Sequence, residues 1–141
     1  MKTGKLIRQF QNAVNCFYLA RCFERQQNDI RTVDYYEAAL RANPKYTSAY
    51  IDYVNYLISK GEFADAQRKL RKALKNEDDN IVLLNLMFNV SYILVKDKVC
   101  EYNVKEVLAV AEKIQSINAD LFEYPVQKQE LINLLQESGE N

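Results

Sequence analysis

Breaks in the apolar pattern fall at regular intervals along the chain, and they constrain the fold more than any other feature of the sequence. The breaks at Asn43-Pro44, at Lys60-Gly61 and over 77–80 hold turn-forming residues, and they separate segments of roughly 12 to 18 residues. The chain has only 3 Gly and 2 Pro, too few for the turns of a many-stranded sandwich or barrel. The sequence therefore predicts an all-α fold.

Apolar residues in two consecutive segments recur at the three- and four-residue spacing of amphipathic helices. Large residues make up the stripe of the first segment, whereas the stripe of the second contains two alanines that allow close approach to a neighbouring helix. The stripes are Tyr50, Tyr53, Val54, Leu57 and Ile58 in the first, and Phe63, Ala66, Leu70, Ala73 and Leu74 in the second. Together the two segments predict a helical hairpin.

A fixed period relates this hairpin to the segment before it. With that period residues 13–46 superpose on 47–80, and Ala39-Leu40 falls on Ala73-Leu74. Gly61 occupies the turn of the second window, and Pro44 ends the first. The pattern resembles the tetratricopeptide repeat family, whose unit is a helix–turn–helix of about 34 residues. The chain departs from the family at Gln27, which replaces the turn glycine, at Cys16, which replaces a large aromatic residue, and at Asp78, which replaces the second proline.

The resemblance implies a single domain, an α-solenoid of about three helix pairs with a capping helix. The third pair ends about seven residues late, so we expect a longer first helix or a longer turn near residues 96–103. The implied divisions are an N-terminal helix extension (1–12), repeat 1 (13–46), repeat 2 (47–80), a divergent repeat 3 (81–120), the capping helix (121–137) and a frayed tail (138–141).

The capping helix is expected to begin near Pro125, because proline is favoured in the first turn of a helix. Its predicted apolar side contains Leu131, Leu134 and Leu135. Its predicted water-facing side contains Gln127, Lys128, Glu130 and Glu137.

In tetratricopeptide repeats the first helices line a concave groove, so the resemblance implies that a ligand binds there. Arg21, Asn55 and Asn89 occupy the same position in three successive repeats. An amide both donates and accepts hydrogen bonds, which suits the backbone of a bound segment. We therefore expect the groove to hold a peptide or a short helix of another protein, although the asparagines could instead face solvent or bond to neighbouring helices. The candidate groove residues are Phe17, Arg21, Arg25, Ile51, Asn55, Asn85, Asn89 and Tyr92.

Several kinds of chemistry lack the residues that they need. The chain has no His, and it contains no nucleophile elbow, Gly-rich phosphate loop or calcium loop. Its 3 Cys are an odd number without a CxxC pair, which favours reduced thiols in a cytoplasmic protein over disulfides or a metal site. The sequence thus predicts a protein that is not an enzyme and has no cofactor and no metal.

Charge is balanced overall, with 19 basic and 19 acidic residues, but it is unevenly distributed. Residues 1–45 hold 8 basic and 4 acidic groups, and residues 81–141 hold 5 basic and 9 acidic groups. This asymmetry favours an alternative function: a scaffold unit that self-associates end to end as a homo-oligomer, or a fragment of a larger solenoid.

Nucleic acid and membrane are not expected among the partners. The basic run between Arg68 and Lys75 lacks interleaved aromatic residues for base stacking, so it is interpreted as a solvated helix face. The longest apolar stretch, residues 81–95, is interrupted by Asn85 and Asn89 and is too short to cross a bilayer.

Overall fold

The computed structural model of the chain describes residues 2–96 and 104–137, and within them every regular element is helical. The expected long turn over 97–103, the tail over 138–141 and Cys100 lie outside the described residues. The prediction of an all-α fold is confirmed, and the helices pack in neighbouring pairs. The elements are α1 (Lys2–Arg25), α2 (Asp29–Ala42), α3 (Thr47–Ser59), α4 (Phe63–Asn76), α5 (Ile81–Lys96), α6 (Val104–Asn118), a 3-10 turn (Ala119–Leu121) and α7 (Pro125–Glu137).

The helix boundaries recur with the period predicted from the sequence. Helices α2 and α4 each contain 14 residues, and they begin at positions 29 and 63. The same separation relates the ends of α1 and α3, at positions 25 and 59, and the starts of α3 and α5, at positions 47 and 81. The spacing changes after that point, because α5 has 16 residues where α3 has 13. The first helix of the third pair, α5, is therefore longer than the first helix of the second pair, α3.

The turns that close α1 and α3 have the same backbone geometry. The Gln27 N–H donates to the Glu24 carbonyl at 3.0 Å, and the Gly61 N–H donates to the Ile58 carbonyl at 3.0 Å. In each turn the next N–H reaches back five residues, which completes a Schellman motif. Gln27 and Gly61 both have positive φ, 59° and 75°. Gln27 thus adopts the left-handed conformation that glycine supplies in the second turn.

The chain divides into two compact units, Met1–Tyr53 and Val54–Asn141, and the boundary falls within α3. In the first unit α1 packs on α2 through small residues, since Ala13, Ala20 and Ala39 are all fully buried. Aromatic rings extend this core: Tyr36 stacks on Tyr53 at 5.0 Å between centroids. The expectation of one domain made of repeats stays a prediction.

In the second unit α5 is the central helix, because it packs against both α4 and α6. The stripe expected on α4 is buried at Ala66, Leu70 and Ala73. Further along the chain, Phe88 meets Phe122 edge to face at 5.0 Å between ring centroids. The core of this part comprises Leu84, Phe88, Val107, Leu108, Ala111, Ile114, Phe122 and Leu131.

Helix α7 begins at Pro125, as expected, but its buried side differs from the predicted one. Leu131 is fully buried and Leu135 is partly buried, whereas Leu134 is 42% exposed. The reason is that the contact with the core runs through Leu131, Ile132 and Leu135, and Leu134 lies outside this strip. On the side predicted to be wet, Lys128 donates to Gln115 of α6 at 2.6 Å, so that side is also partly in contact.

Candidate functional site

Arg21 is the cation of the candidate groove in the first unit. Its guanidinium lies 5.8 Å from the centroid of the Phe17 ring, and its Nε lies 3.7 Å from a carboxylate oxygen of Asp52. The pair links α1 to α3, and the Arg21 side chain remains 45% exposed. Sequence reasoning did not assign a role to Asp52, because nothing in a single sequence pairs two residues on different helices.

Phe17 is buried, at 6% exposure, and contacts the edge of Tyr46 with 5.3 Å between ring centroids. The Phe17 ring therefore supports the Arg21 guanidinium, which lies over it, and offers little exposed surface to a ligand. Arg25 is exposed in the last turn of α1, where a cation is favoured by the helix dipole, and it forms no ion pair with the described residues. Ile51 is half-buried on α3.

An acidic group lies on α1 one helical turn after Arg21. Glu24 accepts a hydrogen bond from the Tyr36 hydroxyl at 2.8 Å. Burial of the phenol, together with this hydrogen bond, raises the pKa of Tyr36 above its ordinary value of 10.0. Tyr36 thus stays protonated and keeps donating to Glu24, which fixes α1 against α2.

Asn85 does not belong to a binding surface, and this corrects the candidate set. The side chain is 3% exposed. Its amide nitrogen donates to the carbonyls of Ile81, at 3.2 Å, and Leu121, at 2.9 Å, while its oxygen accepts from the Glu123 N–H at 3.1 Å. For Asn85, the alternative of bonding to neighbouring elements is therefore the one observed.

Asn55 and Asn89 differ from Asn85. Asn55 is exposed on α3 and Asn89 is half-buried on α5, and both belong to the second unit. Neither side chain forms a hydrogen bond with the described residues. Their amides are therefore available to a ligand, although Asn89 lies only one helical turn from the fully bonded Asn85.

Tyr92 is partly committed to a contact between α5 and α7. Its hydroxyl donates to the Glu130 carboxylate, which also accepts from the Lys96 ammonium at 3.3 Å. Burial and this hydrogen bond raise the pKa of Tyr92. The hydrogen bonds from Tyr92 and Lys96 lower the pKa of Glu130. We call these three residues the α5–α7 latch.

Other features of the described residues bear on the same question. No group of three His, Cys, Asp or Glu in residues 2–96 and 104–137 is arranged to hold a metal ion. Nor is any helix in those ranges long and apolar enough to cross a membrane. Within them Cys16 and Cys22 are free thiols, half-buried and exposed respectively.

No family model matches the chain, and no curated protein matches it in sequence. The site is therefore interpreted from its geometry. The side chains that are at least partly exposed and chemically suited to a ligand are Arg21, Arg25 and Ile51 in the first unit, and Asn55, Asn89 and Tyr92 in the second.

Proposed function

We propose that the chain is a non-enzymatic protein-interaction module of the tetratricopeptide repeat type, which binds a peptide or short helix of a partner protein. The observation that supports this most is the recurrence, with one common period, of helix boundaries, turn hydrogen bonds and left-handed turn residues. Helix pairs with this period stack side by side, and their first helices then line one groove. The proposal includes a cytoplasmic location with reduced cysteines.

We propose ligand contacts within each unit taken by itself: Arg21 in the first unit, and Asn55 and Asn89 in the second. They are evenly spaced in the sequence, at positions 21, 55 and 89, on the first helices of three successive pairs. The Arg21 cation would attract a carboxylate, and each amide would pair with a backbone group of the bound segment that would otherwise lose its hydrogen bond to water. An amide contact of this kind contributes about 0.5–1.5 kcal/mol.

The test begins with selection of peptides from a random displayed library on the full chain, followed by calorimetric titration of a selected peptide. The double substitution Asn55→Ala/Asn89→Ala should weaken binding about tenfold, since two contacts of that size are lost. Asn133→Ala is the matched control, because it removes an exposed amide on α7. It should leave the affinity unchanged.

A second control examines the basic side of α4. Arg68, Arg71 and Lys72 are exposed there, and their reversal to Glu should not change the affinity. If the double Asn variant binds like the wild type while the charge reversal abolishes binding, then the ligand contacts α4 and the proposed groove is wrong.

A further inference from the structure

Helix α1 carries a row of exposed apolar side chains, and Tyr18 is the member of this row that stacks on a described ring, that of Phe17 on the same helix. Ile7, Phe10, Val14 and Tyr18 are 60%, 46%, 38% and 58% exposed. Their spacings of three and four residues place them on one side of the helix. This side is distinct from the one that packs on α2, which contains the buried Ala13 and Ala20. We call these four residues the α1 stripe.

The charge on α1 limits what can cover the stripe. Five cations lie on this helix and only one carboxylate, Glu24, which is engaged by the Tyr36 hydroxyl. The cations are Lys2, Lys5, Arg8, Arg21 and Arg25. A symmetric contact between two α1 helices would bring these like charges together, which is unfavourable. The stripe therefore favours a partner that is apolar and acidic.

A surface of that character exists later in the sequence, in the second unit. Ile117, Leu121 and Val126 are 44%, 48% and 67% exposed where α6, the 3-10 turn and α7 follow one another. Residues 117–126 also contain Asp120 and Glu123, both exposed, and no cation. We call residues 117–126 the acidic corner.

We propose that the α1 stripe of one copy docks on the acidic corner of a second copy, so that the chain associates head to tail. The two surfaces match in apolar character and are opposite in charge, and both conditions favour association. Because the surfaces differ, each copy keeps one unused stripe or corner, and association continues until a ring closes or a filament forms. This inference does not use Asn55 or Asn89 and is independent of the proposed peptide binding.

The first experiment is analytical ultracentrifugation of the full chain over a concentration series at low and high salt. The weight-average mass should rise above that of a single chain as the concentration increases, and high salt should weaken the association, since exposed charges are screened. A wild-type chain that stays monomeric throughout the series would overturn the proposal.

The second experiment uses two variants that each disable one surface. Phe10→Glu places a carboxylate on the α1 stripe, and Val126→Glu adds one to the acidic corner. Each variant alone should associate at least about tenfold more weakly than the wild type. Ile30→Glu is the matched control, because Ile30 is 78% exposed on α2 and belongs to neither surface. It should associate like the wild type, and thermal melts should show all three variants folded.

Mixing the two variants distinguishes a head-to-tail contact from a symmetric one. The Phe10→Glu chain keeps an intact corner and the Val126→Glu chain keeps an intact stripe, so the mixture should form a 1:1 dimer and nothing larger. A mixture that remains monomeric overturns the proposal. So does a Val126→Glu chain that dimerises alone, because that result would assign the contact to two α1 helices.

A basic helix with an apolar side also suits an anionic lipid surface. The last experiment therefore tests whether the chain binds vesicles of phosphatidylserine and phosphatidylcholine. We expect no co-sedimentation of the wild type with these vesicles. Co-sedimentation that Phe10→Glu abolishes, in a wild type that remains monomeric, would show that the stripe binds lipid and would overturn the proposed contact.

Discussion

Gln27 and Gly61 give the clearest relation between a single residue and the repeat. Both have positive φ in turns with the same hydrogen bonds, yet only one of them is a glycine. A residue with a Cβ loses roughly 1–2 kcal/mol in this conformation, whereas glycine adopts it readily. The turn requires this conformation, so Gln27 adopts it, and the protein is less stable than it would be with glycine at that position.

This conformational cost predicts opposite changes in the free energy of unfolding for two substitutions. Gln27→Gly should raise the free energy of unfolding by about 0.5–1 kcal/mol, and Gly61→Gln should lower it by about 1 kcal/mol. The second effect is purely conformational, because a Cβ on Gly61 would meet no atom within 4 Å. Urea denaturation measures both changes. Gln26→Gly is the control, since Gln26 has no positive φ, and it should not stabilise. A destabilising Gln27→Gly would contradict this account.

Asn85 and Asn89 lie on one helix, and the structure assigns them different roles. Asn85→Ala would leave the Glu123 N–H and the Leu121 carbonyl without their partner in a partly buried place, at a cost of about 1–3 kcal/mol. Asn89→Ala removes no hydrogen bond within the described residues, so its effect on stability should be below about 0.5 kcal/mol. Equal losses of stability in the two variants, measured by denaturation, would refute this assignment.

At the scale of whole elements, the α5–α7 latch is a polar contact between α7 and α5. Glu130 accepts hydrogen bonds from both Tyr92 and Lys96, and the side chains of the Lys96–Glu130 pair are 50% and 43% exposed. Such exposed pairs contribute little stability each, because water and salt screen them. The latch thus directs how α7 sits on α5, while the apolar contacts supply most of the binding energy.

The latch predicts how stability depends on pH. The hydrogen bonds from Tyr92 and Lys96 lower the pKa of Glu130 from 4.5, so its contribution is complete above pH 4.5 and is lost as the pH falls through the lowered value. Burial and the hydrogen bond to Glu130 raise the pKa of Tyr92 above 10.0, and the hydrogen bond to Glu130 raises that of Lys96 above 10.5. These two contributions are complete below pH 10 and are lost as the pH rises through the raised values.

Comparison of the wild type with Glu130→Gln measures this dependence. The wild type should be the more stable protein between about pH 5 and 9, and the difference should shrink in stronger acid and in stronger base. Glu112→Gln is the control, because Glu112 is exposed on α6 and forms no ion pair with the described residues. A difference between wild type and Glu130→Gln that does not change from pH 3 to pH 7 would rule out the latch.

Across the whole molecule, the helices and their boundaries were predictable because their signals are local. The turn residues at 43–44, 60–61 and 77–80 lie between helices, and the apolar stripes of α3 and α4 are buried or partly buried. The partners of individual polar residues were not predictable. Asn85 and Asn89 are the same residue type one helical turn apart, so the sequence does not distinguish their roles. Their roles differ because residues 121–123 pack on α5 and bond to Asn85. Leu134 was misassigned for the same reason, since the direction of contact on α7 is set by tertiary packing, whereas the side chain of Glu130 is partly exposed, as predicted, and also bonds to Tyr92.

Residues 121–137 complete the core of the second unit, so removal of residues 121–141 should destabilise that core. Phe122 and Leu131 are 8% and 0% exposed and cover the apolar side chains of α5 and α6. A chain that ends at residue 120 would uncover Phe88 and Ile114, and it would leave Asn85 without its bonds to Leu121 and Glu123. We expect this chain to lose cooperative unfolding, to bind a hydrophobic dye and to aggregate.

The truncation should be made in the Phe10→Glu background, so that head-to-tail association does not obscure the aggregation that follows from the exposed core. Leu134→Ala in the full-length Phe10→Glu chain is the control, because Leu134 is 42% exposed and its loss should leave the melting temperature nearly unchanged. Light scattering during a thermal melt, followed by far-ultraviolet circular dichroism, measures both properties. A truncated chain that stays monomeric and melts at the temperature of the full-length chain would show that α7 does not cap the core. That outcome would mean that exposure of Phe88 and Ile114 to water does not lower the stability of the chain.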